Sequence, residues 1–201
     1  MILENKLNLS NQIELAKAEE KISKQKAKQL FDTGAIDKVE IGTFAGLSFI
    51  HASLFEDIYH FAGKIRTVNI AKGNFRFAPV MYLEQSLKHI DNMAQDDFNA
   101  IVEKYVEMNI AHPFREGNGR STRIWLDLIL KSEIQQVIDW NLVDKDDYLL
   151  AMQRSVVKDI EIKHILKQAL TPQIHDRTLF MKGIDVSYYY EGYSEFRTEE
   201  L

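Results

Sequence analysis

The sequence predicts an all-α fold, and three observations support this prediction. Apolar residues recur at helical spacing through most of the 201 residues, and only three residues are proline. The apolar stretches end at glycine or proline, as helices do. Residues 65–79 instead alternate in polarity around a Gly-Asn turn. We therefore expect a helical bundle that carries one small β-hairpin.

Composition places the chain among ordinary globular proteins, with 45% hydrophobic and 27% charged residues. The absence of cysteine excludes a disulfide framework and a thiolate zinc site. No apolar run is long enough to span a bilayer and the N-terminal residues lack a signal-peptide pattern, so we expect a cytoplasmic protein without membrane contacts. The net charge of −5 argues against broad electrostatic binding of nucleic acid, so no direct nucleic-acid partner is expected.

The first two helices are predicted from their caps and apolar stripes. Ser10 is expected to cap a helix that ends at Gly34. Thr43 is expected to cap a second helix, whose end is followed by Gly63. Five lysines of the first helix are interpreted as a solvated face rather than a nucleic-acid patch: Lys17, Lys21, Lys24, Lys26 and Lys28.

The helices that follow flank a central loop. One helix stops at His112, because Pro113 disfavours helical dihedrals in the residue before it. Another helix runs through the apolar positions that follow Ser121. Four more helices are predicted near residues 83–90, 144–155, 159–170 and 186–193.

The loop between the two central helices, residues 112–123 (HPFREGNGRSTR), concentrates reactive and charged side chains. Gly117-Asn118-Gly119 opens a helix, so several backbone N–H groups and the positive end of the helix dipole converge on one point. Such a point binds anions, phosphate in particular. Arg120 and Arg123 are three positions apart, so both guanidinium groups reach the same side of the helix. Two arginines beside an anion site match a polyphosphate better than a single phosphate.

Three other side chains extend this prediction. Glu116 places a carboxylate beside the phosphate site, where Mg²⁺ takes protein carboxylates together with phosphate oxygens. His112 can accept a proton near neutral pH, and Phe114 is interpreted as an apolar anchor. Each of these residues alone has an ordinary structural explanation, and a metal pair of His112 and Glu116 lacks a third ligand. Their combination within one short loop favours a functional site.

The loop resembles the signature of the Fic family, His-x-Phe-x-(Asp/Glu)-Gly-Asn-Gly-Arg-x-x-Arg, with a match at every specified position. Residues 54–59 and 62–66 resemble the family's helix-to-hairpin segment. The resemblance implies a Fic-type helical bundle with a β-hairpin flap. It also implies three parts: an N-terminal helix packed on the core (1–39), the Fic domain (40–171) and a C-terminal extension with an inhibitory helix (172–201).

The resemblance implies transfer of AMP from ATP to a Ser, Thr or Tyr hydroxyl of a target protein. His112 is then the general base and Glu116 the ligand of Mg²⁺, with ATP and Mg²⁺ as the implied cofactors. The related Doc toxins phosphorylate instead, but their loop departs from the pattern at the acidic position and at the glycine after Asn, which are Glu116 and Gly119 here. The implied nucleotide site comprises Lys72, Gly73, Asn74, Phe75, Arg115, Glu116, Gly117, Asn118, Gly119, Arg120, Ser121 and Arg123.

The implied partner is a target protein docked on the flap, residues 65–79, by strand pairing. Topoisomerase subunits are one class of target that the resemblance suggests, and a homo-oligomer is compatible with it. Two other functions stay open: removal of AMP from modified targets, and a non-catalytic module that holds a peptide. The intact His112 and Glu116 favour the transferase, because a binding module needs neither.

The C-terminal segment contains a second recognisable pattern. Ser187 and Glu191 are one helical turn apart, and their spacing alone favours an ordinary packed, tyrosine-rich helix. With Gly192 they also resemble the inhibitory motif (Ser/Thr)-x-x-x-Glu-(Gly/Asn) of class III Fic proteins. The resemblance implies that Glu191 pairs with Arg123 and obstructs the γ-phosphate of ATP, so that the resting state is autoinhibited. Once this helix is released, self-modification is expected on Tyr188, Tyr189 or Tyr190, with Tyr188 as the first choice.

Overall fold

The computed structural model describes residues 2–73, 75–192 and 194–201. These residues form mainly α-helices with two small two-stranded antiparallel sheets, one of them the β1–β2 hairpin, which confirms the predicted fold class. The helices are α1 (Gln12–Asp32), α2 (Phe44–Phe55), α3 (Val80–Asp91), α4 (Phe98–Ala111), α5 (Asn118–Ile134), α6 (Lys145–Arg154), α7 (Ile160–Gln168) and α8 (Arg177–Tyr190). The strands are β1 (Ala71–Lys72), β2 (Phe75–Arg76), β3 (Val137–Ile138) and β4 (Leu170–Thr171).

Helix α5 lies at the centre of the fold. Its side chains Trp125, Leu126, Ile129 and Leu130 have no exposed surface. Helices α2, α4 and α8 pack against it, and α8 also packs against α1. Burial of each large apolar side chain contributes roughly 1.5–3 kcal/mol, so this packing fixes the position at which α5 begins.

Of the two caps predicted for the first helices, one is shifted by a residue and the other is confirmed. The side chain of Asn11, rather than Ser10, accepts the N–H groups of Ile13 and Glu14 and caps α1. The predicted cap Thr43 is confirmed, since its hydroxyl accepts the N–H of Gly46 at 3.1 Å. Ser and Asn are both good caps, so the pattern could not choose between adjacent candidates.

Helix α1 does not present the uniformly solvated lysine face that the sequence predicted. Lys24 is fully buried, and its Nζ lies 2.9 Å from both Glu20 and Asp185. The same Nζ donates to the carbonyl of Phe196 at 2.5 Å. Glu20 in turn accepts the N–H groups of Glu195 and Phe196. A buried ion pair therefore fastens the segment after α8 to α1.

The hairpin is shorter than the predicted 65–79 span. Only Ala71–Lys72 and Phe75–Arg76 pair as strands, and Asn74 lies outside the described residues. One more backbone bond continues the hairpin, from the N–H of Phe77 to the carbonyl of Ile70 at 3.4 Å. Nearer the start of the predicted span, the N–H of Arg66 donates instead to the carbonyl of Pro113 at 2.8 Å, so Arg66 belongs to the central loop and not to a strand.

Helix α8 is longer than the predicted helix at 186–193. It begins at Arg177, because the side chain of Asp176 accepts the N–H of Leu179 and caps it. It ends at Tyr190, after which Gly192 has a φ of 125°. Tyr193, the predicted last residue, lies outside the described part of the chain. Within that part, no helix has both the length and the apolarity needed to cross a membrane.

We expect Lys24→Ala to destabilise the protein by about 3–5 kcal/mol, because it leaves the buried carboxylate of Glu20 without its cation. Urea denaturation measures the loss. Lys21→Ala is the matched control: Lys21 is exposed on the same helix, so its loss is expected to stay within about 0.5 kcal/mol. Equal small losses in the two variants would show that the buried pair contributes nothing to stability.

Candidate functional site

The loop between α4 and α5 is a sharp turn pinned from both ends. Helix α4 stops at His112, which has a left-handed φ of 48°, as the following proline predicted. Phe114 is fully buried and its ring stacks on His51 with centroids 3.8 Å apart. The side chain of Asn118 both accepts the N–H and donates to the carbonyl of Phe114, each at 2.8 Å. The loop is therefore rigidly anchored, and Phe114 is its apolar anchor.

The first turn of α5 offers a site for an anion. The amides of Asn118, Gly119 and Arg120 belong to this first turn, so they have no acceptor within the helix. Gly117 has a φ of 77° and a Cβ there would lie 2.5 Å from the ring of Phe55, so only glycine fits.

At Gly119 a carboxylate approaches the same turn. A Cβ there would lie 2.8 Å from Oε1 of Glu191. That carboxylate thus rests against the turn where we expected a phosphate.

His112 is oriented as a proton acceptor. Its Nδ1 donates to the carbonyl of Asn109 at 3.3 Å, which places the lone pair on Nε2. The ring of Phe77, from the flap, stacks on the imidazole with centroids 3.6 Å apart. Burial lowers the pKa of His112 to about 4, so the imidazole is neutral at physiological pH.

Arg123 is bound by α8. Its Nε donates to the hydroxyl of Ser187 at 2.6 Å and its Nη2 to the carbonyl of Ser187 at 3.1 Å. The same Nη2 lies 3.4 Å from Oε1 of Glu191. Burial raises the pKa of Glu191, but Arg123, Arg120 and Lys72 outweigh it, so the pKa is lowered and the group is ionised. The structure thus brings Ser187 and Glu191, two of the three predicted inhibitory residues, onto the second arginine of the motif.

Arg120 is buried and ion-paired within the protein, which its predicted role in binding phosphate does not require. It is only 6% exposed and pairs with Glu19 of α1 and with Glu116. Its guanidinium also lies 5.0 Å from the ring centroid of Phe55 and 4.9 Å from that of Tyr188. Burial lowers its pKa, but the neighbouring carboxylate of Glu19 raises it well above the ordinary value. Arg120 therefore braces α1 against the central loop.

The remaining predicted nucleotide contacts are distributed unevenly. Arg115 is exposed. Ser121 is fully buried and its hydroxyl donates to the carbonyl of Gly117 at 2.8 Å, which argues against a direct side-chain contact with a ligand. At the flap tip, Nζ of Lys72 lies 3.9 Å from Oε2 of Glu191. Gly73 has a φ of 58° and Phe75 is half-buried, whereas Asn74 lies outside the described residues.

Tyr188 is inaccessible in this arrangement. It is 5% exposed and its hydroxyl contacts the hydroxyl of Ser23 on α1. Burial raises its pKa to about 12. Of the three tyrosines that precede Glu191, Tyr189 is the exposed one, at 56%. Modification of Tyr188 therefore requires α8 to leave α1.

Sequence reasoning missed three contributors to the site: Glu19, Phe77 and His51. His51 shows why: its Nδ1 accepts the N–H of Gly63 at 2.9 Å and its Nε2 donates to the carbonyl of Glu116 at 2.8 Å. Burial lowers the pKa of His51 to about 4, which keeps it neutral. The sequence around His51 indicates only that the residue belongs to a helix, because its hydrogen-bond partners lie far along the chain.

Glu116 is the candidate metal ligand. Its side chain is 44% exposed, and its Oε1 accepts from the N–H of Gly117 at 3.0 Å and lies 3.1 Å from Nη2 of Arg120. No group of three or more metal-ligating side chains occurs among the described residues. One carboxylate beside a phosphate site fits Mg²⁺ that arrives with a nucleotide, because Mg²⁺ takes few protein ligands and several phosphate or water oxygens.

Comparison with known proteins agrees with this geometry. A profile described as the Fic/DOC family matches residues 43–130. This chain contains a Fic domain. The protein adenylyltransferase VbhT of Bartonella schoenbuchensis is 31% identical over 159 residues, which is 73% of this chain and 32% of VbhT. The chain thus spans about a third of VbhT. The probable protein adenylyltransferase y4lH of Sinorhizobium fredii is 27% identical over 79% of this chain and 85% of its own length.

Solved Fic structures share the fold at lower identity. BepC of Bartonella tribocorum, solved with bound AMPPNP, superposes with a TM-score of 0.69 at 18% identity, over 86% of this chain and 94% of BepC. A Fic domain of Bartonella quintana, solved with bound ADP, gives a TM-score of 0.68 at 20% identity, over 85% and 91% of the two chains. The Fic-type bundle predicted from the sequence is confirmed.

We expect the imidazole of His112 to titrate near pH 4, because burial disfavours its charged form. The unfolded chain has the ordinary value of 6.5. Since the folded value is lower, the stability contributed by this neutral imidazole is present above about pH 6.5 and is lost as the pH falls toward 4. NMR titration of the histidine ring signals, assigned with His112→Ala, measures the value. A midpoint at 6.5 would show that burial does not control the group.

Proposed function

We propose that this Fic-domain chain is a protein adenylyltransferase that transfers AMP from ATP to a hydroxyl of a target protein. The observation that carries the proposal is the convergence of a neutral His112, the first turn of α5 and Arg123 at one loop. Relatives named protein adenylyltransferases and related folds solved with AMPPNP or ADP support it. Positioning and charge stabilisation account for most catalysis of this class, and this loop supplies both.

The chemistry follows from the orientation of His112. The target hydroxyl oxygen attacks the α-phosphorus of ATP, and the bond from that phosphorus to the bridging oxygen of the β-phosphate breaks. Pyrophosphate leaves, and the hydroxyl proton passes to Nε2 of His112. The hydrogen bond from Nδ1 to Asn109 holds the ring in the tautomer that this transfer needs.

The phosphates are held by the first turn of α5 and by Arg123. The amides of Asn118 and Gly119 point at the phosphates, and the dipole of α5 favours their charge. Glu116 would hold Mg²⁺, which neutralises phosphate charge when it is bound. Arg120 supports this site structurally, since its guanidinium is already paired with Glu19 and Glu116.

The flap is the proposed docking place for the target. Its strand β1 is exposed and short, so an extended segment of the target can add to it by backbone pairing. Phe77 covers the imidazole of His112 from this side. A target hydroxyl presented by the flap therefore arrives beside the proton acceptor. Topoisomerase subunits are the first candidates to test, and the oligomeric state is a separate measurement.

The resting enzyme is proposed to be autoinhibited by α8. The Glu191 carboxylate lies against Gly119 and Arg123, where the terminal phosphate of ATP would bind. One cation cannot hold both anions in full, so a docked α8 misplaces the nucleotide. Release of α8 would free Arg123 and expose Tyr188, which makes self-modification of Tyr188 a consequence of the same release.

We expect His112→Ala to lower AMP transfer by about 10²–10⁴-fold, because the general base is lost. Incorporation of label from ATP labelled at the α-phosphate measures it, and label at the γ-phosphate tests the kinase alternative. His89→Ala is the matched control, since His89 is exposed on α3. Full transfer by His112→Ala with an unchanged melting temperature would remove the residue from the mechanism.

We expect Glu191→Gly to raise AMP transfer at least tenfold, because Arg123 becomes available to the nucleotide. Intact-mass and peptide analysis after incubation with ATP and Mg²⁺ measures target and self-labelling. Lys182→Gly is the control for helix flexibility, because a glycine at this exposed interior position weakens α8 by about 1 kcal/mol without touching Arg123.

Three outcomes distinguish the interpretations. Activation by Glu191→Gly alone supports the inhibitory contact. Equal activation by Lys182→Gly would mean that loosening α8 matters and the carboxylate does not. Loss of AMP from a modified target, in place of transfer, would favour the reverse reaction.

A further inference from the structure

Arg66 holds an unusual position between the flap and the central loop. Its side chain is only 3% exposed, yet no carboxylate pairs with it in the part of the chain that the structure describes. Its guanidinium instead donates to four backbone carbonyls. They belong to Ala111 (3.1 Å), His112 (2.8 Å), Val68 (2.8 Å) and Ala78 (2.5 Å).

Two of these carbonyls lie at the C-terminal end of α4. The last carbonyls of a helix have no intrahelical donor and carry partial negative charge, so a cation there is favourable. Arg66 also donates its backbone N–H to the carbonyl of Pro113 at 2.8 Å. One residue thus fixes the peptide groups on both sides of His112, whose left-handed φ of 48° is uncommon for a residue with a Cβ.

The other two carbonyls lie on either side of the flap. Val68 precedes β1 and Ala78 follows β2. The N–H of Ala78 donates to the carbonyl of Ile110 at 3.0 Å, so the flap is bound to α4 directly as well. Phe77 is adjacent, and its ring stacks on His112 at 3.6 Å. The guanidinium therefore sets the distance between the flap and the imidazole.

We propose that Arg66 is a positioning residue that holds the flap and the imidazole of His112 in one fixed geometry for AMP transfer. Its catalytic consequence rests on the proposed function, whereas its geometric consequence can be measured without any target. Arginine is required because its planar fork directs donors to separated acceptors at the same time. A lysine has three donors at one point and can serve one side of the junction only.

Hydrogen exchange tests the coupling directly. In Arg66→Gln and Arg66→Lys we expect amides of the flap (residues 65–79) and of the loop (residues 108–114) to exchange together, at least tenfold faster than in the parent. Asn69→Ala is the matched control, because Asn69 accepts the N–H of Val80 on the flap side alone. It is expected to accelerate the flap and leave the loop unchanged. Unchanged exchange at the loop in both Arg66 variants would overturn the proposal.

The imidazole itself provides a second measurement. The charged groups that face it are Glu191, Arg66 and Lys72. Arg66→Gln removes one nearby positive charge and loosens the burial, so the His112 midpoint is expected to move upward from its parent value. Lys72→Met removes a comparable charge without touching the four carbonyls. A larger shift for Arg66→Gln supports positioning, and equal shifts would reduce Arg66 to a simple charge effect.

Kinetics test the catalytic consequence in the Glu191→Gly background. Misplacement of a reacting group by about 1 Å can cost about 10²-fold in rate, so we expect a loss of that order in Arg66→Gln with an unchanged KM for ATP. Arg66→Lys is expected to recover part of the rate. A rise in the KM for ATP that matches the rate loss would mean a general collapse of the site and would overturn the proposal.

The two hypotheses fail in different ways. If Glu191→Gly itself transfers no AMP to any protein, the proposed function fails. Hydrogen exchange and the titration of His112 still test the positioning role of Arg66. If Arg66→Gln does not fold, as judged by its melting curve, Arg66→Lys supplies the same exchange comparison. A folded Arg66→Lys with parental exchange and parental rate would show that the four-carbonyl arrangement is dispensable.

Discussion

Two buried guanidinium groups on the central helix each need a partner, and the outer helices of this protein supply those partners. Arg120 and Arg123 are 6% and 5% exposed on the helix at the centre of the fold. A buried charge without a partner costs several kcal/mol, so each arginine must be neutralised or hydrogen-bonded. Glu19 of α1 meets Arg120, and Glu191, which follows α8, meets Arg123. The two outer helices are therefore tied to the motif by charge as well as by apolar packing.

The two arginines meet this requirement in different ways. Arg120 is enclosed by Glu19, Glu116 and two aromatic rings, although its Nε has no hydrogen-bond partner among the described residues. Arg123 has a single carboxylate, at 3.4 Å, which is about a third exposed. This ion pair is longer than those of Arg120 and is open to solvent on the side of Glu191, so it contributes less stability and is more readily exchanged. The difference separates a structural cation from one that is available to a phosphate.

The sequence predicted the helix ends and turns that depend on residues close together in the chain. Pro113 ends α4 through the residue before it, Thr43 caps α2 through the next turn, and Gly117 permits the left-handed turn that starts α5. It could not predict partners brought together by folding. Glu19 lies 101 residues from Arg120, and His51 lies 65 residues from Glu116.

The same limit explains two of the differences between prediction and structure. The flap strands are short because Arg66 takes the carbonyls at both ends of the hairpin, a competition that alternation of polarity does not reveal. Lys24 is buried because Glu20 and the segment after α8 surround it, although five lysines in one helix are typical of a solvated face. In both cases a long-range polar contact replaced the locally expected one.

In the proposed mechanism, tethering decides how inhibition can be relieved. Glu191 belongs to the same chain as Arg123, and its helix is anchored by the buried Ser187 and Tyr188. An intramolecular group typically acts at an effective concentration of the order of millimolar or above, and a packed helix raises it further. A free nucleotide at millimolar concentration therefore gains little by competing for Arg123 alone. Efficient activation must act on the contacts that hold α8 against α1, so the buried junction of Tyr188 with Ser23 is as relevant to regulation as the carboxylate itself.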